Sequence, residues 1–372
     1  MSNFDLILRK VSEERLTLTR EQARTAVEAM LAAPADDAEA VSDIKIAALL
    51  TALATRGETA DELTGFVDGM RAMALPLPLT HAERAALVDT CGTGGVRLGT
   101  FNISTGAALV AAAAGAKVAK HGNRGVTSRC GSADVLEALG IAVSLPPRAA
   151  VECLRATNFM FLFAPAMHPA MRRVQPVRKA LGFRTIFNLA GPLTNPARAG
   201  AQVMGVFARD RVAIVAEAMA KLGVRHAFVV HGLDGLDELT LAGESEVAEV
   251  RGANAHCSSA PDHFEGSDLP GTVRLFQMNP EDVGLQRSSV REPLGGDAAG
   301  NAAILEAIFA GERGPRRDVV LLNASAALVA AGIARDFKEG LSRAAEVVDS
   351  GAARATLALL RAFSNEHAMR SS

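Results

Sequence analysis

The first part of the chain, up to about residue 75, repeats its apolar residues at the spacing of an α-helix. The pattern predicts two helices within 3–31, separated by a turn at 16–19, and further helices over 44–54 and 60–72. Thr19 and Thr59 stand just before two of these helices, where a hydroxyl can accept a bond from the free N–H groups of the first turn. Pro76 and Pro78 then interrupt any regular element, so we expect a helical subdomain that ends in a linker.

Beyond residue 86 the pattern changes, and short strand-like apolar runs alternate with helical stretches. Strands are expected at 86–89, 116–119, 142–144, 159–163, 205–207, 227–230 and 272–277. Helices are expected over 106–115, 297–310 and 318–333. Alternation of this kind is typical of an α/β domain with a mainly parallel sheet, whose ligands bind beyond the carboxyl ends of the strands.

The composition fits a globular protein of the cytoplasm. Of its 372 residues, 49% are hydrophobic and 22% are charged, and the net charge of −2 gives no reason to expect nucleic acid or membrane as a partner. No apolar run is long enough to span a bilayer, and the N-terminal stretch lacks the apolar core of a signal peptide. The four cysteines show no paired framework, which predicts reduced thiols at Cys91, Cys130, Cys153 and Cys257.

Two polar, glycine-rich loops lie between residues 89 and 134. The first, GTGG at 92–95, lets a ligand approach the main chain, and its N–H groups can form an anion-binding concavity. It leads into NIST at 102–105, a helix start at which phosphate gains from free N–H donors and the helix dipole. The second, KHGNR at 120–124, adds two cations after a predicted strand. A bare GTGG is more often an ordinary turn, but this combination favours an anion site over a structural loop.

An adjacent carboxylate pair, Asp237 and Glu238, follows another predicted strand. Mg²⁺ prefers oxygen ligands from a few carboxylates and from substrate phosphates, so the pair is a candidate metal site. An exposed pair at a helix start is the equally weighted alternative when these residues are considered by themselves.

Several motifs, in the same order, resemble those of anthranilate phosphoribosyltransferases. They are GTGG followed by TFNIST, KHGNR, GSADVLEALG, HPAMRRVQPVRKALGFRTIFNLAGPLTNPA, HGLDGLDE and GGDAAGNAAIL. The resemblance as a whole covers about residues 4–365. This family of glycosyltransferases joins anthranilate to phosphoribosyl pyrophosphate (PRPP) in tryptophan biosynthesis, a route to an aromatic amino acid, and releases pyrophosphate. The chain departs from the family pattern at Val96, where Asp is usual.

The resemblance implies the architecture and the metal. We expect a small all-helical subdomain plus a larger α/β domain with a mainly parallel central sheet. The helical subdomain would comprise 1–80, joined by about 165–190, and the α/β domain would comprise 81–164 and 191–372. We also expect a homodimer formed through the helices and the binding of two Mg²⁺ ions per subunit. Val96 is expected to alter the response of the protein to Mg²⁺.

The resemblance also implies the ligand contacts. Expected PRPP-binding residues are Gly92, Gly95, Val96, Thr100, Asn102, Ile103, Ser104, Thr105, Lys120, His121, Gly122, Asn123, Arg124, Gly125, Val126, Thr127, Ser128 and Ser132. Expected anthranilate-binding residues are Gly92, Asn123 and Arg178, and expected metal ligands are Ser104, Asp237 and Glu238. An arginine can hold the anthranilate carboxylate in a bidentate manner, although Arg178 paired with an internal carboxylate stays open. No covalent nucleophile or acid–base residue is assigned, and His121 is expected only to be positioned by hydrogen bonds.

Two other functions stay open at this point. Pyrimidine-nucleoside phosphorylases share the fold and carry a TGGV sequence, but they usually have Asp-Lys where this chain has Asp89 and Thr90. A non-catalytic relative that binds nucleic acid or phosphoribosyl compounds is the second alternative. The near-neutral charge disfavours it, because binding to a phosphate backbone needs many cations.

Overall fold

The computed structural model describes residues 2–32, 40–94, 99–125, 129–252 and 271–369. Its N-terminal part is a bundle of four helices, which are α1 (Asn3–Ser12), α2 (Arg20–Leu31), α3 (Asp43–Arg56) and α4 (Ala60–Ala72). The Thr19 and Thr59 hydroxyls cap α2 and α4, as the sequence predicts. Glu62 then links the bundle internally, because its buried carboxylate accepts bonds from the Leu18 amide and from Arg56.

Seven strands form one sheet in the described part of the chain. They are β1 (Leu87–Gly92), β2 (Lys117–Gly122), β3 (Phe159–Phe163), β4 (Ala201–Gly205), β5 (His226–Gly232), β6 (Ser245–Arg251) and β7 (Thr272–Met278). Their order is β3-β2-β1-β4-β5-β6-β7, with parallel pairing from β3 to β5 and antiparallel pairing for β6 and β7. The carboxyl ends of the five parallel strands therefore meet at one edge, where the loops after them come together.

Helices cover both faces of this sheet. Those between α4 and β4 are α5 (His81–Ala86), α6 (Ile103–Ala113), α7 (Ser132–Ala138), α8 (Pro147–Thr157), α9 (Ala164–Met167), α10 (Gln175–Leu181) and α11 (Ile186–Leu193). Those that follow are α12 (Arg211–Lys221), α13 (Ala298–Phe309), α14 (Pro315–Ala331), α15 (Phe337–Asp349) and α16 (Ala352–Met369). No helix within the described ranges is both long and apolar enough to cross a lipid bilayer.

Two strand predictions need correction, and one strand was missed. The apolar run 142–144 is not a strand, because the Ala142 amide bonds to the Ser364 hydroxyl of α16 at 3.1 Å and not to a neighbouring strand. The strand expected at 205–207 is β4, which begins at Ala201 and ends at Gly205. The sequence reasoning also missed β6. Its Glu249 is buried in an ion-pair cluster with His226 and two arginines, so a charged residue occupies a position where a strand pattern leads one to expect an apolar residue.

The apolar core joins the helical bundle to the sheet. One buried cluster contains Phe66 and Val67 of α4, Val215 of α12 and Val229 of β5. The helices α10 and α11 pack against α3 and α4, so the chain returns to the bundle after β3. A ligand site at the carboxyl edge of the sheet is therefore bordered by both the bundle and the α/β part.

Candidate active site

The carboxyl ends of β1, β4 and β5 bring the glycine loop and the acidic loop together. Gly92 ends β1 opposite Gly205 at the end of β4. A Cβ atom on Gly205 would stand 1.6 Å from the carbonyl oxygen of Asp237, and one on Gly92 would stand 3.1 Å from Asp237 Oδ2. Gly205 has no room for a side chain, and a Cβ on Gly92 would crowd the Asp237 carboxylate, so glycine at these positions allows the acidic loop to lie close to both strands. Thr93 fixes the start of the glycine loop by donating its amide to Gly205 O at 2.9 Å.

The acidic pair lies beside the first turn of α6. Both the amide and the hydroxyl of Ser104 bond to Glu238. Burial and the neighbouring Asp237 carboxylate raise the pKa of Glu238 to about 8, and burial raises the pKa of Asp237. The two carboxylates are therefore held close together in a place that disfavours both being anions unless positive charge is added.

This set of oxygen atoms fits a Mg²⁺ site that is shared with a substrate. Asp237, Glu238 and Ser104 supply two carboxylates and a hydroxyl, which are ligands that Mg²⁺ prefers. Within the ranges that the structure describes, no group of three or more His, Cys, Asp or Glu side chains could hold a metal ion by itself. Phosphate oxygens and water would have to complete the shell of a Mg²⁺ ion here, as they commonly do.

Lys120 lies beneath this site. Its side chain is 2% exposed, and Nζ donates to Thr90 O, to Thr90 Oγ1 at 3.3 Å and to Ser104 Oγ at 3.4 Å. Burial lowers the pKa of Lys120, and the carboxylate of Asp89 opposes that shift. The sequence suggests a cation that reaches phosphate directly, whereas the structure places this charge behind Ser104, where it partly offsets Glu238.

The first turn of α6 does not leave its amides free. The N–H groups have partners inside the protein, which are Phe101 O for Ile103, Asn102 O for both Thr105 and Gly106, and the carboxylate of Glu238 for Ser104. The free donors expected from the sequence are therefore occupied, and the helix dipole is what remains for an anion. The Thr105 hydroxyl is buried and has no partner among the described residues.

Asp134 holds the second loop in place. Its carboxylate accepts bonds from the backbone amides of Gly125 and Gly131, both at 2.8 Å. Arg124 contacts Asp134 at 3.1 Å and Glu137 at 2.6 Å, and these bonds raise the pKa of Arg124. The charge of Arg124 is thus largely neutralised inside the loop and is less available to phosphate than the sequence suggests. Sequence reasoning missed Asp134, although it stands in the GSAD motif.

The end of β2 and the start of α7 are packed together. Ser132 Oγ donates to Asn123 O at 3.3 Å, and the Asn123 side chain is exposed. A Cβ atom on Gly122 would stand 2.1 Å from Ser132 Oγ, so glycine is needed for this close approach. Three residues that the sequence predicts for the donor site are therefore brought together. Thr100, another predicted donor-site residue, does not belong to this group and pairs with Leu294 in an isolated β-bridge.

A buried hydrogen-bond network of Asp89 and Asn195 links β1, β2 and the loop after α11. The carboxylate of Asp89, which is 1% exposed, accepts from the His121 amide at 3.2 Å and from Asn195 Nδ2 at 2.9 Å. Asn195 Nδ2 also donates to Ala119 O at 2.7 Å. This network connects the loop after α11 to β2, the strand that carries Lys120. Sequence reasoning assigned it no role, although Asn195 belongs to the GPLTNP motif.

On the side of the helical bundle, Arg178 of α10 is partly buried. Its guanidinium lies 5.3 Å from the centroid of the Phe187 ring, and burial lowers the pKa of Arg178. No carboxylate among the described residues forms an ion pair with it. The alternative that Arg178 pairs with an internal carboxylate thus finds no support, and the guanidinium is available to a carboxylate ligand.

Two buried histidines lie between the bundle and the sheet. The ring centroids of His121 and His168 are 5.1 Å apart. Burial is the main cause that lowers the pKa of His121 to about 3 and that of His168 to about 4, so both rings are neutral at neutral pH. Neither Nε2 atom has a partner among the described residues. His168 was missed by sequence reasoning, and its place at the start of the HPAMRR motif was the available signal.

Five of the predicted donor-site residues lie outside the described residues. They are Gly95, Val96, Val126, Thr127 and Ser128. The expectation that Val96 alters the Mg²⁺ response therefore stays a prediction.

Comparison with known proteins decides the family. The sequence pattern of the glycosyl transferase family, a/b domain, matches residues 84–354, and that of the family's helical bundle domain matches residues 5–74. The anthranilate phosphoribosyltransferase of Moorella thermoacetica is 47% identical over 346 residues, which are 93% of this chain and 94% of that protein. The chain belongs to the anthranilate phosphoribosyltransferase family.

Solved structures of the family agree in fold. The enzyme from Thermus thermophilus is 42% identical and superimposes with a TM-score of 0.83, covering 96% of this chain and 99% of that one. The enzyme from Saccharomyces cerevisiae, solved in complex with PRPP and Mg, is 25% identical with a TM-score of 0.81 and covers 98% of each chain. The yeast enzyme has also been solved with 4-fluoroanthranilate.

Membership in the anthranilate phosphoribosyltransferase family confirms the resemblance, the fold class and the enzyme class, a transferase. It also removes the ground for the pyrimidine-nucleoside phosphorylase and for the non-catalytic relative. The individual site residues stay predictions. The structure brings Gly92, Ser104 and the acidic pair together at one edge of the sheet and places Arg178 on the side of the helical bundle.

Proposed function

We propose that this protein transfers the phosphoribosyl group of PRPP to the amine of anthranilate, giving phosphoribosylanthranilate and pyrophosphate in tryptophan biosynthesis. The observation that carries the proposal is the placement of the acidic pair, with Asp237 against Gly92 and Gly205 and with Glu238 bonded to Ser104. That placement puts a pair of potential Mg²⁺ ligands next to the loop that a pyrophosphate group can approach most closely.

The donor side of the site lies between the glycine loop, Ser104 and the acidic pair. Asp237, Glu238 and Ser104 would hold Mg²⁺, two ions per subunit, and the metal would supply positive charge to the leaving pyrophosphate. Lys120 contributes a fixed positive charge behind Ser104. The loops after β1 and β2 would hold the donor with its anomeric carbon turned towards the helical bundle.

The acceptor side lies towards the bundle. Arg178 would bind the anthranilate carboxylate, because a guanidinium offers two parallel N–H donors to it. His121 and His168 are neutral, so they do not attract the acceptor, and the positive charge of Arg71 near both rings would add to that of Arg178. The amine nitrogen attacks the anomeric carbon, the C–O bond to pyrophosphate breaks with its electron pair leaving on oxygen, and the amine releases one proton. Positioning of the two substrates replaces any covalent intermediate.

Assembly and location complete the proposal. Ile44 of α3 is 82% exposed and Leu6 of α1 is 50% exposed, and a second copy that covered these helices would remove both from water. We therefore infer a homodimer formed through the helical subdomain, acting in the cytoplasm. The predicted division into 1–80 with about 165–190, and 81–164 with 191–372, would let the two parts close around the substrates and exclude water. Light scattering tests the dimer, and Ile44→Glu should yield a monomer.

The reaction is tested by incubating the purified protein with PRPP, Mg²⁺ and anthranilate and separating the products. Phosphoribosylanthranilate and pyrophosphate should form in equal amounts, and only when all three components are present. Phosphate-dependent cleavage of thymidine or uridine, with no use of anthranilate, would overturn the proposal.

A further inference from the structure

The motif GGDAAGN, which ends at Asn301, has no role in the proposed function. Asn301 belongs to α13 and is 1% exposed. Its Oδ1 accepts from the Gly296 amide at 2.8 Å, and its Nδ2 donates to Asn102 Oδ1 at 3.0 Å. Asn102 immediately precedes α6 and is one of the residues predicted for the PRPP site. The buried Asn301 amide on α13 thus holds the Asn102 side chain, which belongs to the described segment 99–102 just before α6, called the donor loop below.

The chemistry of the groups fixes the orientation of both amides. A backbone N–H can only donate, so Gly296 faces Asn301 Oδ1 and turns Asn301 Nδ2 towards Asn102. Asn102 must then present its Oδ1, which places its own Nδ2 3.4 Å from Cys130 O. Cys130 Sγ adds a second bond to Asn102 Oδ1 at 3.2 Å. The backbone amide of Gly296 therefore orients two side-chain amides in series, and the second connects the loops before α6 and before α7.

Backbone contacts support the same junction. The segment 293–295 runs beside 99–101, with bonds from Gly295 N–H to Gly99 O and from Phe101 N–H to Pro293 O, both at 2.9 Å. A Cβ atom on Gly295 would stand 2.6 Å from the Phe101 backbone and 2.6 Å from Asn301 Oδ1. The segment before α13 is therefore packed tightly against the donor loop, and a shift of one displaces the other.

We propose that Asn301 is a positioning residue for the PRPP site. It acts through Asn102, whose amide it holds in one orientation, and it thereby helps to set the backbone of residues 99–102 just before α6. The inference rests on the proposed function, since it assumes that this loop binds PRPP. Asn301 lies on the donor side of the site. Its loss should therefore weaken the binding of PRPP and leave the contact between Arg178 and anthranilate unchanged.

The substitution Asn301→Asp tests this inference because it keeps the shape and the acceptor for Gly296 but removes the donor to Asn102. The lost bond, and the two oxygens it leaves facing each other, should raise the KM for PRPP about tenfold or more. Calorimetry with PRPP and Mg²⁺ should show a similar loss of affinity, while the KM for anthranilate stays within about twofold. Asn301→Ala, which adds no charge, should show the same loss confined to PRPP, and circular dichroism checks that both variants fold.

A matched control is Asn158→Asp, the same chemical change at the opposite end of the sheet. Asn158 precedes β3 and donates to Ala112 O at 3.4 Å, far from the carboxyl edge of the sheet. Its kinetic constants for both substrates should equal those of the wild type. A loss of PRPP affinity in this variant matching that of Asn301→Asp would overturn the inference, because the effect would then be a general one.

A double-mutant cycle tests whether Asn301 acts through Asn102. Once Asn102→Ala has removed the partner, Asn301→Asp should change PRPP affinity little further, because the two residues form one unit. An undiminished effect in the Asn102→Ala background, wild-type PRPP affinity in Asn301→Asp, or equal losses for PRPP and anthranilate would each overturn the inference. Failure of the proposed function is distinguishable, because the wild-type protein would then neither bind PRPP nor consume anthranilate.

Discussion

Arg124 and Arg178 look equivalent in sequence, since each stands in a polar motif next to a predicted ligand. In the structure Arg124 is bonded to Asp134 and Glu137, whereas Arg178 contacts the Phe187 ring and forms no ion pair with a described residue. A charge that is already satisfied has little to gain from a ligand, and one that lacks a partner has more to gain. At the residue scale, internal partners therefore separate a structural arginine from a binding one.

Arg178→Ala should raise the KM for anthranilate by at least about tenfold and leave the KM for PRPP nearly unchanged, because only anthranilate loses its carboxylate partner. Steady-state kinetics with each substrate varied in turn measures this. Arg172→Ala is the matched control, since Arg172 is exposed in the same segment and should have no effect. Equal losses for the two substrates, or a large fall in melting temperature, would favour a structural role for Arg178.

Asp89 gives a prediction on stability and pH. Burial raises its pKa from 3.8 to about 6, despite its bonds to Asn195 and His121. The carboxyl group of Asp89 thus holds its proton more tightly in the folded state than in the unfolded state. Its ionisation therefore lowers the free energy of unfolding as the pH rises from about 4 to 6, by about 3 kcal/mol at most. Urea unfolding of wild type and Asp89→Asn at pH 4 and pH 7 should show the wild type losing stability relative to the variant. A pH-independent difference would contradict this.

At the scale of elements, the parallel sheet does most to build the site. The strands β1, β4 and β5 end at the same edge, and the loops after them carry the glycines and the acidic pair. Sequence reasoning predicted this arrangement because buried strands, glycine loops and carboxylates each leave a local pattern. It missed His168 and Asn301 because their contacts join segments far apart in the chain. It also missed Asp134, although the bonds of that carboxylate to the Gly125 and Gly131 amides are local. It also missed β6, in which a buried ion pair hides the alternation of a strand.

Gly205→Ala tests how closely these elements must approach. The new Cβ would stand 1.6 Å from Asp237 O, so the acidic loop must move away from β4. We expect activity to fall by at least about a hundredfold and the Mg²⁺ requirement to rise, as for a misplaced ligand set. Gly243→Ala is the control, because a Cβ there meets no atom within 4 Å. Activity in Gly205→Ala equal to that of the control would show that the loop tolerates displacement.

At the scale of the whole molecule, the site lies where two parts of the chain meet. The bundle shares a buried apolar cluster with one face of the sheet, and an ion pair between Arg211 and Glu58 at 2.9 Å joins α12 to the segment before α4. The acidic pair stands on the α/β side, and Arg178 stands on the bundle side. A reaction that joins a phosphorylated donor to an aromatic acid therefore has one recognition element on each part.

The central claim is that the acidic pair makes this protein a Mg²⁺-dependent phosphoribosyltransferase. The most direct test follows the loss of anthranilate fluorescence with PRPP while Mg²⁺ is titrated, for the wild type, Glu238→Gln and the control Glu244→Gln. Glu238→Gln should lose on the order of 2–4 kcal/mol of transition-state stabilisation at limiting Mg²⁺, because a metal ligand is gone, and Glu244→Gln should match the wild type. Superimposable curves for all three proteins, or anthranilate consumption that needs no Mg²⁺, would contradict the account.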